Sequence, residues 1–127
     1  MLRFGDEPYL ECSSKGDKRF SAFYARLKEP SAYEGKSIEE LYQYCKVFED
    51  GVTGLDWKEA KGKVPVNAEE ARMFYSYLWD QYFKQHPELL DIIKEYNGFT
   101  DIYGQEGHAC QAEEIYRIRN KERIVDV

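Results

Sequence analysis

The chain has 127 residues, a formal net charge of −6 and a mean hydropathy of −0.73. This length predicts one domain spanning residues 1–127, with a core large enough to fold without disulfides or metals. The acidic net charge argues against general nucleic-acid binding. No apolar run approaches the ~20 residues of a membrane span, and the first residues lack the apolar stretch of a secretory signal. These two features predict a cytoplasmic protein.

The three cysteines, Cys12, Cys45 and Cys110, are too few and too widely spaced for a disulfide framework, and we expect reduced, mostly buried thiols. His108 lies close to Cys110, but the paired ligand spacing of structural zinc sites is missing. We therefore expect no metal and no other cofactor. A nucleophilic pair of His108 and Cys110 is disfavoured because residues two apart on a helix point in different directions.

The first 30 residues carry no helical period, and two segments read as extended, 8–12 and 19–27. Helix one is predicted over 37–48, where Ser37 and Glu40 form a capping box. A short helical turn over 56–61, with Trp57 and Ala60 inward, and an extended stretch over 61–66 follow.

Helix two is the clearest predicted element. It begins at Asn67, which forms a capping signature with Glu70. An apolar stripe at helical spacing predicts that this helix lies in the core. The members of the stripe are Phe74, Tyr75, Leu78, Trp79, Tyr82 and Phe83.

In the last third of the chain, helix three is predicted to begin at Pro87 and to stop at Asn97-Gly98. A strand over 99–103, a glycine-containing loop over 104–107 and helix four over 108–120 are predicted to follow. The strands do not alternate regularly with the helices, which predicts an α+β fold, a compact, mainly helical domain with a few short strands. The basic residues near the C-terminus are interpreted as a solvated tail that complements the end of a helix, although a local basic patch is the alternative. These residues are Arg117, Arg119, Lys121 and Arg123.

Helix one has two faces. Its apolar stripe consists of Ile38, Leu41 and Cys45. Glu39, Gln43 and Lys46 fall at i, i+4 and i+7 on another stripe, with Tyr42 at its edge. A carboxylate, an amide, a cation and a phenol that project together can form a catalytic or ligand-binding site. The same pattern is typical of an ordinary helix face in water, and both interpretations stay open.

No phosphate-binding glycine loop, nucleophile elbow or zinc-binding histidine motif occurs in the sequence. Carboxylate chemistry remains, with Glu39, Glu40 and Asp101 as candidates. This set suits cleavage of an N-glycosidic bond, because a carboxylate can stabilise an oxocarbenium-like transition state or deprotonate the attacking water. Aromatic side chains would stack the base, and loop amides would hold phosphates.

The order of these segments resembles the NADAR superfamily, the NAD- and ADP-ribose-associated proteins. After Gly35, residues 37–46 match the family's serine-x-glutamate-x-x-tyrosine-glutamine-x-x-lysine helix at every key position. Weaker similarity covers 20–24, 60–62, 78–79, 87–90 and 101–104. The chain departs from the family pattern where Ala22 replaces an asparagine, Tyr103 replaces a tryptophan, and Gln111 is the nearest counterpart of a late asparagine.

The resemblance implies a single NADAR-like domain and an N-glycosidase-like hydrolase acting on an ADP-ribose-type or related nucleotide substrate. The family includes N-glycosidases of riboflavin-pathway intermediates and enzymes that remove ADP-ribose from guanine bases. By the same resemblance Glu39 is the catalytic carboxylate, Lys46 is a phosphate-binding or orienting group, and Asp101 is a pocket residue expected to act as a second catalytic carboxylate. The other implied substrate-binding residues are Phe23, Tyr42, Gln43, Tyr103, Gly104 and Gln111.

Two other functions stay open. A protein on the same scaffold can sequester a nucleotide without cutting it, and the changes at Ala22 and Tyr103 favour that alternative. A small acidic protein-interaction or inhibitor module would instead dock on a basic partner protein through exposed tyrosines and need no pocket. The partner would then be a protein, whereas the first two functions require a small-molecule nucleotide or an ADP-ribosylated substrate.

Overall fold

The computed structural model describes residues 1–28, 35–54, 57–60 and 65–125. In these residues a three-stranded sheet is combined with five α-helices, which confirms the α+β prediction. The strands are β1 (Leu2–Gly5), β2 (Tyr9–Glu11) and β3 (Gly98–Asp101). The helices are α1 (Ile38–Tyr44), α2 (Trp57–Ala60), α3 (Ala68–Gln85), α4 (Pro87–Ile93) and α5 (Gln111–Val125). Within the same ranges, no helix has the length and apolar content needed to cross a membrane.

The sheet has the order β1-β3-β2, with β3 in the middle. Phe99 of β3 lies opposite Phe4 of antiparallel β1 and opposite Leu10 of parallel β2. The ring of Tyr116 on α5 lies 6.4 Å from the rings of both Phe4 and Phe99, so that α5 packs against the sheet. Strand β1 was not predicted, because Leu2 and Phe4 give too short an alternation to indicate a strand.

Helix α3 forms the centre of the core, as predicted. Leu78 and Trp79 are fully buried, and Phe74 is the one member of the predicted stripe that is only partly buried. The Trp79 ring meets those of Tyr75, Tyr82 and Phe83 at centroid distances of 6.4, 5.5 and 6.0 Å. These edge-to-face and tilted contacts favour a rigid α3, against which α1 packs.

The prediction of an extended segment over 19–27 is wrong for residues 19–24, whereas Arg26 near its end forms an isolated antiparallel bridge with Ser37. Residues Lys18–Phe20 form a 3₁₀ turn, because the Asp17 carboxylate accepts a hydrogen bond from the N–H of Arg19 at 3.0 Å. The chain turns again at once, since the carbonyl of Ser21 accepts hydrogen bonds from the N–H groups three and four residues later. Local side-chain capping therefore overrides the strand propensity of the aromatic residues here.

Helix α1 begins as predicted, with the Ser37–Glu40 capping box in place, but it ends at Tyr44 instead of 48. The predicted Asn67 cap of α3 is wrong, since the Asn67 side chain makes no capping hydrogen bond. Its amide binds the chain after α1 instead: Nδ2 donates to the Cys45 carbonyl at 3.0 Å, and Oδ1 accepts from the Val47 N–H at 2.9 Å. The Asn67 side chain thus makes a tertiary contact with the chain after α1 and does not cap α3, as the local sequence predicts it would.

The other boundaries differ by a few residues. Helix α4 begins at Pro87 as predicted but ends before the Asn97-Gly98 stop, and Gly98 already belongs to β3. Strand β3 ends two residues earlier than predicted, and α5 begins at Gln111 instead of 108. Ala60 is buried as predicted, whereas the Trp57 side chain and residues 61–64 lie outside the described residues.

The interpretation of the α5 basic residues as a solvated tail is wrong for two of them. Arg119 is only 2% exposed and donates to Asn97 Oδ1 at 2.7 Å. Arg117 binds Asp80 and Glu114, each at 3.0 Å, and so ties α5 to α3. Lys121 is exposed as expected, and the Arg123 side chain lies outside the described residues.

Candidate functional site

One cavity of about 450 Å³ contains the residues that the sequence singles out. Its walls come from α1 and the residues just after it, from α3, from the segment between β2 and α1, and from the chain between the end of β3 and the start of α5. All nine predicted site residues line it: Phe23, Glu39, Tyr42, Gln43, Lys46, Asp101, Tyr103, Gly104 and Gln111. Their functional roles stay predictions, but the fold brings these side chains to one place.

Two of the three residues of the polar stripe that begins on α1 are buried against this cavity instead of facing water, and the third, Glu39, is partly buried. Gln43 is 4% exposed and Lys46 is 6% exposed, which contradicts the interpretation of an ordinary solvated helix face. Polar side chains are rarely buried to this extent unless another group meets them. The burial of Gln43 and Lys46 therefore indicates a specific arrangement of polar groups around the cavity.

The Glu39 carboxylate is oriented by its own helix. Gln43 Nε2, one turn later, donates a hydrogen bond to Glu39 Oε1 at 2.8 Å. The Glu39 N–H donates to the carbonyl of Ala22 at 3.0 Å, so the first turn of α1 is fixed to the preceding loop. This arrangement directs the carboxylate into the cavity from a rigid support.

Lys46 brings a positive charge to the same cavity. Its Nζ lies 5.0 Å from the centroid of the Tyr42 ring, a cation–π arrangement. Burial lowers the pKa of Lys46 below its ordinary value, and the Glu39 charge opposes that effect. A hydrogen-bond acceptor or an anionic group on a ligand would therefore stabilise the charged Lys46 in place of the water that burial removes.

Two tyrosines form an aromatic wall. The rings of Tyr42 and Tyr75 meet edge to face at a centroid distance of 4.9 Å. Burial raises the pKa of both phenols, and the nearby Glu39 charge raises it further, so both stay protonated at neutral pH. Sequence reasoning missed Tyr75 as a cavity residue because it belongs to the core stripe of α3, and no pattern separates the two roles.

Asp101 has surroundings unlike those of Glu39. It is 5% exposed; its Oδ1 accepts from the Tyr103 N–H at 3.0 Å, and its Oδ2 accepts from Gln111 Nε2 at 3.0 Å and from the Cys110 thiol at 3.8 Å. These partners occupy both oxygens of Asp101 within the protein. Asp101 thus holds the loop after β3, while the Tyr103 side chain, 60% exposed, stands at the rim.

The cavity also has residues that sequence reasoning did not assign to it, namely Ser14, Tyr75, Gln105, His108 and Ala109. His108 lies on it together with neighbours of Cys110, but burial raises the pKa of the Cys110 thiol to about 11. At neutral pH this cysteine is therefore a protonated thiol and a poor nucleophile. Among the described residues, no three His, Cys, Asp or Glu side chains are grouped as they would be around a metal ion.

Chemically the cavity combines a carboxylate, an ammonium group and aromatic walls.

Neither a scan against models of protein families nor a search of curated proteins returned a match for this chain. The function is therefore inferred from the cavity itself.

Proposed function

We propose that this protein is an N-glycosidase-like hydrolase acting on an ADP-ribose-type or related nucleotide substrate, with Glu39 as its reacting carboxylate. The observation that carries the proposal is the burial of Gln43 and Lys46 beside Glu39 in one cavity. A helix face of this composition has no structural need for burial. Its position on a cavity is what a ligand site requires.

In the proposed reaction, a water molecule hydrogen-bonded to Glu39 attacks the anomeric carbon of the sugar. The C–N bond breaks with its electron pair passing to the base nitrogen, which takes up a proton from a donor in the cavity. The water oxygen loses its proton to Glu39, so that free base and the hydroxylated sugar leave. The negative Glu39 also stabilises the oxocarbenium-like transition state, in which the sugar ring carries positive charge.

The remaining groups support substrate binding in this proposal. Lys46 binds a phosphate or another acceptor of the substrate. The aromatic side chains of Phe23, Tyr42 and Tyr103 offer faces on which a base can stack. Asp101 acts through the loop that it holds and does not itself react.

The first test is a substrate screen with purified protein. NAD, ADP-ribose, ADP-ribosylated guanine nucleotides and riboflavin-pathway intermediates are incubated separately, and products are read by mass spectrometry alongside ligand-induced thermal shift. Release of a free base supports the proposal and names the substrate. A thermal shift without product favours the sequestering function, and silence in both measurements favours the protein-interaction module.

The second test is the variant Glu39→Gln, which keeps the length of the side chain and an oxygen that can accept from Gln43. We expect turnover to fall by about 10²–10⁴-fold with the melting temperature near that of wild type, because only the charge is lost. Glu40→Gln is the matched control. Glu40 is the next residue on α1, lies outside the cavity lining, and a glutamine there keeps the capping box. Wild-type turnover in Glu39→Gln would overturn the proposal.

A further inference from the structure

The amide of Gln111 bridges two parts of the cavity wall. Its Oε1 accepts from the Ala22 N–H at 2.6 Å, and its Nε2 donates to Asp101 Oδ2 at 3.0 Å. Gln111 is 7% exposed and is the first residue of α5. A main-chain N–H can only donate and a carboxylate only accepts, so these two partners fix the orientation of the amide.

The bridge continues on both sides into the cavity. On one side the carbonyl of Ala22 accepts from the Glu39 N–H at 3.0 Å, which attaches the first turn of α1. On the other side Asp101 accepts from the N–H of Tyr103 at its side chain and from the N–H of Gly104 at its carbonyl, both at 3.0 Å. Gln111 thus links Ala22, which holds the first turn of α1 with Glu39, to Asp101, which holds Tyr103 and Gly104 at the rim of the cavity.

We propose that Gln111 is a positioning residue, whose bridge between Ala22 and Asp101 sets the place of Glu39 relative to the Tyr103 rim. This role differs from direct substrate binding, which the family resemblance implies for Gln111. The consequence for turnover rests on the proposed function, whereas the bridge can be tested with no ligand present.

Loss of the bridge has a defined structural effect. Without the Gln111 side chain the Ala22 N–H has no acceptor, although Ala22 is 1% exposed, and Asp101 loses one of its donors. A buried donor without a partner is unstable, so the loop moves to find water or another acceptor. Because the Glu39 N–H is bonded to the carbonyl of the same Ala22, that movement reaches α1.

Amide hydrogen exchange, measured by NMR on the whole protein, tests this coupling. In Gln111→Leu we expect the amides of Ala22 and Glu39 to exchange at least about tenfold faster, while the amide of Phe99 in β3 stays at the wild-type rate. Gln105→Leu is the matched control, since Gln105 lines the same cavity but takes no part in the bridge, and it should leave both reporter amides unchanged.

Gln111→Met keeps the length of the side chain, adds no charge beside Asp101 and repeats the test if Gln111→Leu fails to fold. It has no acceptor for the Ala22 N–H and no donor for Asp101, so we again expect the Ala22 and Glu39 amides to exchange faster than in wild type. Faster exchange at Ala22 alone in Gln111→Leu, with Glu39 unchanged, would overturn the proposal.

Kinetics with the substrate found in the screen add a functional measurement. We expect Gln111→Leu to lower kcat by tenfold or more with KM within about threefold of wild type, because the reacting carboxylate is displaced while Lys46, which lies beyond the end of α1, keeps its place. Faster amide exchange with wild-type kcat would overturn the positioning role and leave the N-glycosidase proposal standing. Failure of the wild-type protein to turn over any substrate counts against the proposed function alone, since the exchange result is independent of it.

Discussion

Lys46 shows how far a single residue can be interpreted from sequence. Helical spacing places Lys46 with Glu39 and Gln43, and the structure confirms that these three residues share a cavity. Spacing does not predict the burial of Lys46, because the cavity beside it also has walls from distant parts of the chain, among them Tyr75 and the residues around Asp101. The meeting of these segments depends on tertiary packing that the local sequence does not contain.

Cys110 gives a prediction about chemical reactivity. Its thiol is 3% exposed and its pKa is raised to about 11, so we expect alkylation at pH 8 to be at least about 100-fold slower than for an exposed cysteine. The measurement is iodoacetamide labelling of the native protein, followed by peptide mass spectrometry at several pH values. The half-buried Cys45 is the internal comparison and should be labelled first. Rapid labelling of Cys110 near neutral pH would contradict its assignment as an inert thiol.

At the scale of elements, secondary structure is predicted best where a long apolar stripe marks the buried face of a helix. The apolar stripe of α3 spans more than two turns, and Pro87 fixes the start of α4. The prediction from sequence fails over 19–24, where a hydrogen bond from the Arg19 N–H to the Asp17 carboxylate turns the chain. Short aromatic segments favour strands on average, but a single side-chain cap has a comparable energy.

The end of α1 gives a prediction about Asn67. In Asn67→Ala the Cys45 carbonyl and the Val47 N–H lose their partners, and we expect the free energy of unfolding to fall by about 1–3 kcal/mol in urea titrations. Asn67→Asp separates the bridging role from a capping role. Aspartate caps a helix as well as asparagine does, but it has no donor for the Cys45 carbonyl. Stability equal to wild type in Asn67→Asp would contradict the bridge.

At the scale of the whole molecule, the site is assembled from both halves of the chain. Gln111 and Ala22 are 89 residues apart, and so are Thr100 and Glu11, whose side chains are hydrogen-bonded at 2.7 Å. The sequence predicts a strand near residue 99 and one near residue 10, but it does not predict that they pair. Strand partners depend on register and on long-range closure, and neither leaves a local pattern. The individual segments could therefore be predicted, whereas the cavity that they form together could not.

Glu11 joins these halves and makes the stability of the molecule depend on pH. Its carboxylate accepts from the Ser13 N–H at 2.9 Å, from Thr100 Oγ1 and from the Ile102 N–H at 3.2 Å. Burial by itself raises the pKa of Glu11, but these hydrogen bonds outweigh burial and lower it below its ordinary value. The folded state thus favours the charged form more than the unfolded chain does.

The sign of the pH dependence follows from this lowered pKa. The stabilisation by Glu11 is present above the unfolded pKa of about 4.3 and is lost as the pH falls through the lower folded pKa. We expect Glu11→Gln to destabilise the protein at pH 7, and the difference from wild type to shrink as the pH falls below about 4. Urea unfolding between pH 7 and pH 3 measures that difference. Glu106→Gln, on the exposed loop of residues 104–107, is the control and should give a curve parallel to wild type. A gap between wild type and Glu11→Gln that is constant with pH would show that the hydrogen bonds stabilise the fold without favouring the charged carboxylate.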